Sequence, residues 1–275
     1  MTLLDGRTPH SADAGSSGTP TELRRALTLA RAEAKLLLRN KTATFIAVLT
    51  PLTIVLLVGM VPSDAGLPAL VMGMLIGTAL LFVVYYTLVT SAVARREEHY
   101  LKRLYTSTAR PLTILVAMAV PLLALLLVQV GLGFAGVVIL LEYRPTAAVL
   151  FVLLAVVLGT MAWWALALAS AIFTRTVESA QLTTLPLLMV ALLFSGLSMP
   201  LALLPELATT IAQLTPMFPV VDLTFLGMAG VRVTGEPVVG VDLVRTVGVD
   251  AAVLLGWVVA GVALVRRRFR WEPRH

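Results

Sequence analysis

The chain contains no cysteine among its 275 residues, so disulfide bonds, thiolate metal sites and cysteine nucleophiles are excluded. Lysine is scarce as well, and none of the three lysines follows a glycine. The Gly-x-x-x-x-Gly-Lys loop that binds nucleotide phosphates is therefore absent. The three histidines, His10, His99 and His275, all lie outside the apolar runs. This excludes a Ser-His site or a His-x-x-x-His metal site within a membrane.

Charged residues make up only 13% of the chain, whereas a soluble domain carries about 25%. Hydrophobic residues reach 59%, and the mean hydropathy is +0.94. Uncharged apolar runs of about 20 residues are typical of bilayer-spanning helices. The sequence thus predicts an all-α membrane protein with six transmembrane helices, at residues 43–61, 67–93, 112–141, 146–173, 180–200 and 247–265. They hold one ionisable residue, Asp250, which argues against a proton- or sodium-driven transporter.

The basic residues are distributed unevenly across the predicted membrane. With both termini on one side, that side carries eighteen of the twenty-one Lys and Arg residues. The other side carries only Arg144, Arg232 and Arg245. Because cytoplasmic loops are enriched in Lys and Arg, both termini are predicted to be cytoplasmic. The positive charge is dispersed along the membrane edges, so no nucleic acid is expected as a partner.

Two segments precede the first predicted span. Residues 1–21 are rich in Ser, Gly, Pro and Thr and are expected to form a disordered cytoplasmic tail. Residues 271–275 are expected to form a cytoplasmic tail at the other end. Residues 22–40 have an apolar face of Leu and Ala beside a face of Arg and Lys. This pattern indicates an amphipathic elbow helix in the lipid headgroup plane. The elbow is either a mechanical part of the protein or only an anchor that orients the first span.

A charged island separates the second and third predicted spans. Residues 95–105 are long enough for about three helical turns. In such a helix Tyr100, Leu101, Leu104 and Tyr105 share one side, and most of the charges lie elsewhere. A soluble protein can grip a helix of this kind, which suggests that energy reaches the chain from outside. In the alternative interpretation, the apolar stripe faces the membrane and has no protein partner.

The segment between the fifth and sixth predicted spans also exceeds a simple loop. Within residues 201–242, Glu206–Leu214 and Met217–Ala229 are predicted to form two short helices. Both are too short to span a bilayer, and the second is apolar. They are predicted to form an external re-entrant helix pair, with a cap that shields the bundle from water as the alternative.

Three segments, in this order and spacing, resemble a known family. Arg95-Arg96-Glu97-Glu98 with Leu101-Lys102-Arg103-Leu104 is similar to the cytosolic charged motif of ABC-2 transporter permeases, the exporters that include drug and antibiotic efflux permeases. Phe194-Ser195-Gly196-Leu197-Ser198-Met199-Pro200 resembles the motif that closes the fifth span of that family. Leu204-Pro205-Glu206-Leu207 and Thr215-Pro216 resemble the entry to its external re-entrant helices. The resemblance covers about residues 22–270, which would form one permease domain.

The resemblance implies a partnership. Such permeases pair with a second permease chain, here expected to be identical, and bind a dimer of cytosolic ATP-binding subunits through the coupling helix between spans two and three. ATP and Mg would be held by those subunits, so this chain is expected to have no cofactor and not to be an enzyme. The residues predicted to contact the ATPase are Arg95, Arg96, Glu97, Glu98, Leu101, Lys102, Arg103 and Leu104. Glu178 is either a second contact or a solvated loop acid.

The resemblance places the second and fifth spans around a substrate cavity, and the cargo is predicted from the residues of these spans. The residues expected to line the substrate path are Tyr85, Tyr86, Thr90, Ser195 and Ser198, although ordinary helix packing explains them about as well. For Trp163 and Trp164, packing is the preferred explanation. Uncharged spans favour export of a hydrophobic or amphipathic antibiotic-like molecule across a bacterial plasma membrane. The alternatives are a lipid-linked glycan or peptide exporter and a non-transporting scaffold or immunity protein.

Overall fold

A computed structural model describes residues 49, 53–57, 66–97, 111–198, 201 and 204–268. Apart from one isolated bridge between Val231 and Pro237, this part of the chain contains no β structure. Its helices are α1 (Leu67–Glu97), α2 (Pro111–Leu140), α3 (Val149–Phe173), α4 (Val177–Leu193), α5 (Glu206–Leu214), α6 (Phe218–Ala229) and α7 (Gly240–Arg268). The predicted elbow, most of the first predicted span and residues 98–105 of the charged island lie outside the described residues.

Four of these helices, α1, α2, α3 and α7, are long and apolar enough to cross a membrane, and they correspond to the second, third, fourth and sixth predicted spans. A fifth span is present if α5 and α6 are taken as one broken helix. The described residues therefore do not confirm the predicted count of six spans. They do confirm the prediction of an all-helical membrane protein.

The fifth predicted span, residues 180–200, is shorter in the structure than in the sequence prediction. Helix α4 has 17 residues and ends at Leu193, because the chain then turns through Gly196, which has a positive φ of 79°. The hydroxyl of Ser198 donates to the carbonyl of Leu192 at 2.7 Å and satisfies the end of the helix. Helices α2 and α4 continue through Pro121 and Pro186, so neither proline ends its helix.

Helix α3 lies at the centre of the core and packs against α1, α6 and α7. Small residues permit these close contacts. A Cβ atom added to Gly159 would lie 2.9 Å from side-chain atoms of Leu80 on α1 and Val220 on α6. Likewise, Gly261 of α7 lies directly against Ala165. Without water to drive helices together inside a bilayer, such close van der Waals packing is a main source of their association.

The middle of α1 departs from α-helical geometry. Residues Ala79–Tyr86 form a π-helical segment, in which backbone bonds reach back five residues. The amide of Thr87 bonds to the carbonyl of Phe82, and the hydroxyl of Thr87 donates to the same oxygen at 2.8 Å. Segments of this kind are rare and occur often at functional sites.

Helices α5 and α6 form the two short helices predicted between the last two spans. The angle between their axes is 86°, and each is too short to cross a bilayer. Helix α6 packs against α1, where Gly73 admits Val221 and Phe225. It ends at Gly230, whose φ of 71° is the left-handed conformation that favours glycine at a helix end. Entry of this pair into the outer leaflet stays a prediction.

Candidate functional site

The charged motif at the end of α1 is bonded to the turn between α3 and α4. Arg96 is buried, with 4% of its surface exposed. Its Nη1 donates to the carbonyl of Ala171 at 3.0 Å, and its Nη2 donates to the carbonyls of Thr174 and Arg175. These carbonyls lie at the end of α3, where backbone acceptors have no helical partner and the helix dipole is negative. The guanidinium therefore caps α3.

Glu97 makes the complementary contact with α4. Its Oε1 accepts a hydrogen bond from the amide of Val177, the first residue of α4, at 3.3 Å. Thr176 completes this helix start by exchanging hydrogen bonds with Ser179. A carboxylate at a helix start and a guanidinium at a helix end both match the helix dipoles. We refer to Arg96, Glu97 and the turn Thr174–Val177 as the α3–α4 clamp.

Three of the predicted ATPase-coupling residues, Arg95, Arg96 and Glu97, thus belong to the last turn of a membrane-spanning helix. Glu178 is exposed and directly follows Val177, so the structure brings the island and this turn together. The sequence prediction treated them as separate contacts. The remaining coupling residues fall outside the described part of the chain, namely Glu98, Leu101, Lys102, Arg103 and Leu104.

Tyr85, a predicted substrate-path residue, is fully buried between α1 and α3. Its hydroxyl lies 3.0 Å from the Oγ of Ser170, and its ring meets Trp163 edge to face at 5.4 Å. Such edge-to-face pairs add stability beyond the area that they bury. In this structure Tyr85 is therefore a packing and hydrogen-bonding contact, as is Trp163.

The other predicted path residues form two separate groups. Tyr86 and Thr90 are half-buried on α1, and the hydroxyl of Thr90 donates to backbone carbonyls of its own helix. Ser195 is buried and Ser198 is exposed just after α4, and both donate to the carbonyl of Leu192. No hydrogen bond joins the two groups among the described residues.

A cavity of about 230 Å³ lies between α1, α2 and α3, and none of the five predicted path residues lines it. It exceeds the roughly 150 Å³ of an apolar cavity that holds benzene in another protein. Its single hydroxyl, that of Thr160, donates to the carbonyl of Val156 at 2.6 Å and so is bonded within its own helix. The lining residues are Val84, Leu88, Ala119, Val120, Leu122, Leu123, Thr160, Met161 and Trp164.

The sequence prediction missed a buried charged cluster formed by Asp222 of α6, Arg232 and Asp250 of α7. Asp222 is fully buried and forms an ion pair with Arg232 at 2.8 Å, and Asp250 is buried on α7, which packs against α6. The signal was visible, because Asp222 is the one ionisable residue in an otherwise uncharged helix of 12 residues. Among the described residues, no group of three or more His, Cys, Asp or Glu side chains could hold a metal ion.

Comparison with protein families finds a match over most of the chain. The model of the ABC-2 type transporter family matches residues 24–228, which include the α3–α4 clamp, the bent turn between α5 and α6, and all but the last residue of α6. No curated protein matches the chain. The matched region covers most of the described helices.

Proposed function

Because the chain belongs to the ABC-2 type transporter family, we propose that it is the permease subunit of an ATP-driven exporter. It is a multi-pass membrane protein and a transport component, and it does not itself catalyse a reaction. We propose that its partners are a cytosolic ATPase dimer, which holds ATP and Mg, and a second copy of the permease. We also propose that the chain lies in a bacterial plasma membrane, contacts its lipids and has both termini in the cytoplasm.

The α3–α4 clamp is the observation that carries this proposal. A charged motif that only reversed the chain would leave its ionic groups in water. Instead, Arg96 and Glu97 bond to the end of one helix and the start of the next. A force applied to the residues after Glu97 would therefore reach α1, α3 and α4 together. This arrangement suits a segment that receives a movement from an ATPase.

The cavity between α1, α2 and α3 supports an apolar or amphipathic cargo. Eight of its nine lining residues are hydrophobic, and none carries a charge. Ligand sites are mostly apolar with few polar groups, and this cavity has the size of a small ring system or part of a larger molecule. We propose that an antibiotic-like amphiphile is the exported molecule.

The decisive experiment concerns ATPase binding. Leu104→Asp places a charge on the apolar stripe of the island, where buried anchors often contribute about 2 kcal/mol or more, roughly 30-fold in affinity. We expect the affinity of the permease for the ATPase to fall roughly 30-fold, so that less ATPase copurifies per inserted permease. Ser107→Asp adds the same charge two residues beyond the island of residues 95–105 and is the control. Equal ATPase recovery with both variants would contradict the proposed coupling.

A second measurement separates transport from a scaffold role. In a reconstituted complex of permease and ATPase, an exported amphiphile should raise ATP hydrolysis in a saturable way. If no member of a panel of amphiphiles, lipid-linked glycans and peptides changes hydrolysis, and none is moved across the vesicle membrane, a non-transporting role is favoured.

A further inference from the structure

The cavity between α1, α2 and α3 is closed by α1 and open at the surface of the bundle. Val84 and Leu88 of α1 line it and are almost fully buried. Three other lining residues reach the surface: Val120 and Leu123 of α2 are 40% and 39% exposed, and Met161 of α3 is 41% exposed. The opening of the cavity therefore lies between α2 and α3.

This opening lies near the middle of the membrane-spanning helices. The shortest of the three, α3, has 25 residues and is about 37 Å long, which exceeds the roughly 30 Å of the hydrocarbon core. At about 1.5 Å per residue, all nine lining residues lie within about 10 Å of the midpoint of their own helix. An opening at this depth faces the hydrocarbon chains of the bilayer, not water or lipid headgroups.

The lining of the cavity offers no partner to a polar guest. No lining residue carries a charge, and the hydroxyl of Thr160 already donates to the carbonyl of Val156 at 2.6 Å. The indole Nε1 of Trp164 is itself buried among protein atoms. A buried water needs about two to four polar partners, so this cavity holds water poorly. An empty cavity would deprive its lining of van der Waals contacts, and hydrocarbon is the guest that restores them.

Two irregular helical turns border the cavity. Val84 belongs to the π-helical segment of α1. Val120 and Leu122 flank Pro121 inside α2. A π-helical segment displaces side chains from regular α-helical positions, and a proline has no amide to donate to its helix. Because helices bend at both kinds of feature, the space between α1 and α2 can adjust to a guest.

We propose that the cavity is a binding site for one hydrocarbon chain of an amphiphile dissolved in the bilayer, which enters sideways between α2 and α3. The hydrocarbon chain fills the apolar cavity, and the polar end of the same molecule stays outside it. A phospholipid and an exported amphiphile both carry such a hydrocarbon chain. Only the second source depends on the proposed function.

Quenching of Trp164 fluorescence by brominated lipid tests for the bound hydrocarbon chain, because bromine quenches tryptophan only at close range. The full-length protein is reconstituted in phosphatidylcholine vesicles with an increasing mole fraction of phosphatidylcholine brominated on its acyl chains. The contribution of Trp164 is the difference between the wild type and Trp164→Phe. We expect it to fall in direct proportion to the mole fraction of brominated lipid, as for one neighbouring lipid molecule. No quenching, as when a second copy of the protein covers the opening, or a steeper fall that indicates several surface lipids, would overturn the proposal.

Filling the cavity provides a matched pair of variants. Ala119 of α2 lines the cavity, whereas Ala124 of the same helix is exposed and is not part of the lining. Ala119→Phe should remove most of the quenching of Trp164, because the phenyl ring takes the place of the guest, and Ala124→Phe should retain it. If Ala119→Phe does not fold, Ala119→Leu replaces it with a smaller side chain. Equal quenching of Trp164 in the folded Ala119 and Ala124 variants would contradict binding in the cavity.

The reconstituted complex with the ATPase identifies the source of the hydrocarbon chain. If it belongs to the cargo, an amphiphile that stimulates ATP hydrolysis by the wild-type complex should lose this effect with Ala119→Phe but not with Ala124→Phe. If it belongs to a resident phospholipid, both variants should respond as the wild type does. If no amphiphile stimulates hydrolysis by the wild-type complex, the proposed function fails, whereas the quenching of Trp164 still decides whether the cavity binds a hydrocarbon chain.

Discussion

Replacing Arg96 with methionine tests whether the α3–α4 clamp stabilises the helix bundle. Methionine fills much of the volume of arginine and removes the guanidinium alone. The carbonyls of Ala171, Thr174 and Arg175 would lose their donor at a position where Arg96 leaves only 4% of its own surface exposed. The end of α3 would then hold unsatisfied acceptors beside the start of α4.

The expected cost follows from these bonds. Hydrogen bonds to a charged donor contribute about 1.5–3 kcal/mol, and a buried unsatisfied acceptor costs about 1–3 kcal/mol. To these three carbonyls Arg96 makes two close bonds and one long one, of 3.4 Å. Water near the helix end offsets part of the loss, so we expect about 3 kcal/mol, roughly a 100-fold increase in the unfolding equilibrium constant. Arg96→Lys should lower the free energy of unfolding by about half as much as Arg96→Met, because one ammonium group cannot reach three carbonyls.

Thermal unfolding of the purified chain measures this effect. A loss of about 3 kcal/mol corresponds to about 6–12 °C in the unfolding temperature of a protein of this size. Arg175→Met is the matched control, because its side chain is exposed and the same charge is removed in the same turn. Its effect should stay within about 0.5 kcal/mol. Equal unfolding temperatures for the Arg96→Met and Arg175→Met variants would refute the capping role.

Three further predictions concern topology, packing and cargo. A cysteine at Ser107 should resist an impermeant thiol reagent in intact cells and one at Thr234 should react; the reverse pattern would invert the assigned orientation. Gly261→Ala should destabilise the chain by about 1–3 kcal/mol, because the added Cβ would lie 2.8 Å from the Cβ of Ala165. Gly256 has open space around it, so Gly256→Ala should be neutral or stabilising by up to about 1 kcal/mol. Thermal unfolding measures both effects. Tyr86→Ala should change which compounds stimulate ATP hydrolysis in the reconstituted complex and leave the basal rate alone; equal losses for all compounds would indicate packing.

The long helices could be predicted from the sequence because hydropathy alone determines them. An uncharged apolar run has few alternatives to a helix in a membrane, so α1, α2 and α3 lie close to their predicted ranges, whereas α7 begins at Gly240, seven residues before the predicted span of 247–265. The end of α4 was predicted less well. It depends on the left-handed conformation of Gly196 and on hydroxyl contacts to Leu192, which an apolar run does not reveal.

The clamp and the buried charged cluster could not be read from composition or periodicity. Arg96 and Ala171 are 75 residues apart, and Asp222 and Asp250 lie on different helices. Along the sequence, Arg96 looks like a solvated charge of the island, and its burial follows only from the packing of α1 beside α3. The lone Asp222 in an apolar helix was a usable signal, because such a residue needs a buried partner.

Helix α1 contacts α6 near its start and the α3–α4 turn at its end. Near its start, Gly73 packs against α6, and at its end Arg96 and Glu97 form the clamp. Between them, the π-helical segment is a place where α1 could bend, but Tyr85 in that segment is bonded to Ser170 of α3. Helices α1 and α3 are thus joined both at mid-length and at the clamp. We therefore expect them to move as one unit, so that α6, which packs on both, must follow or lose its contacts.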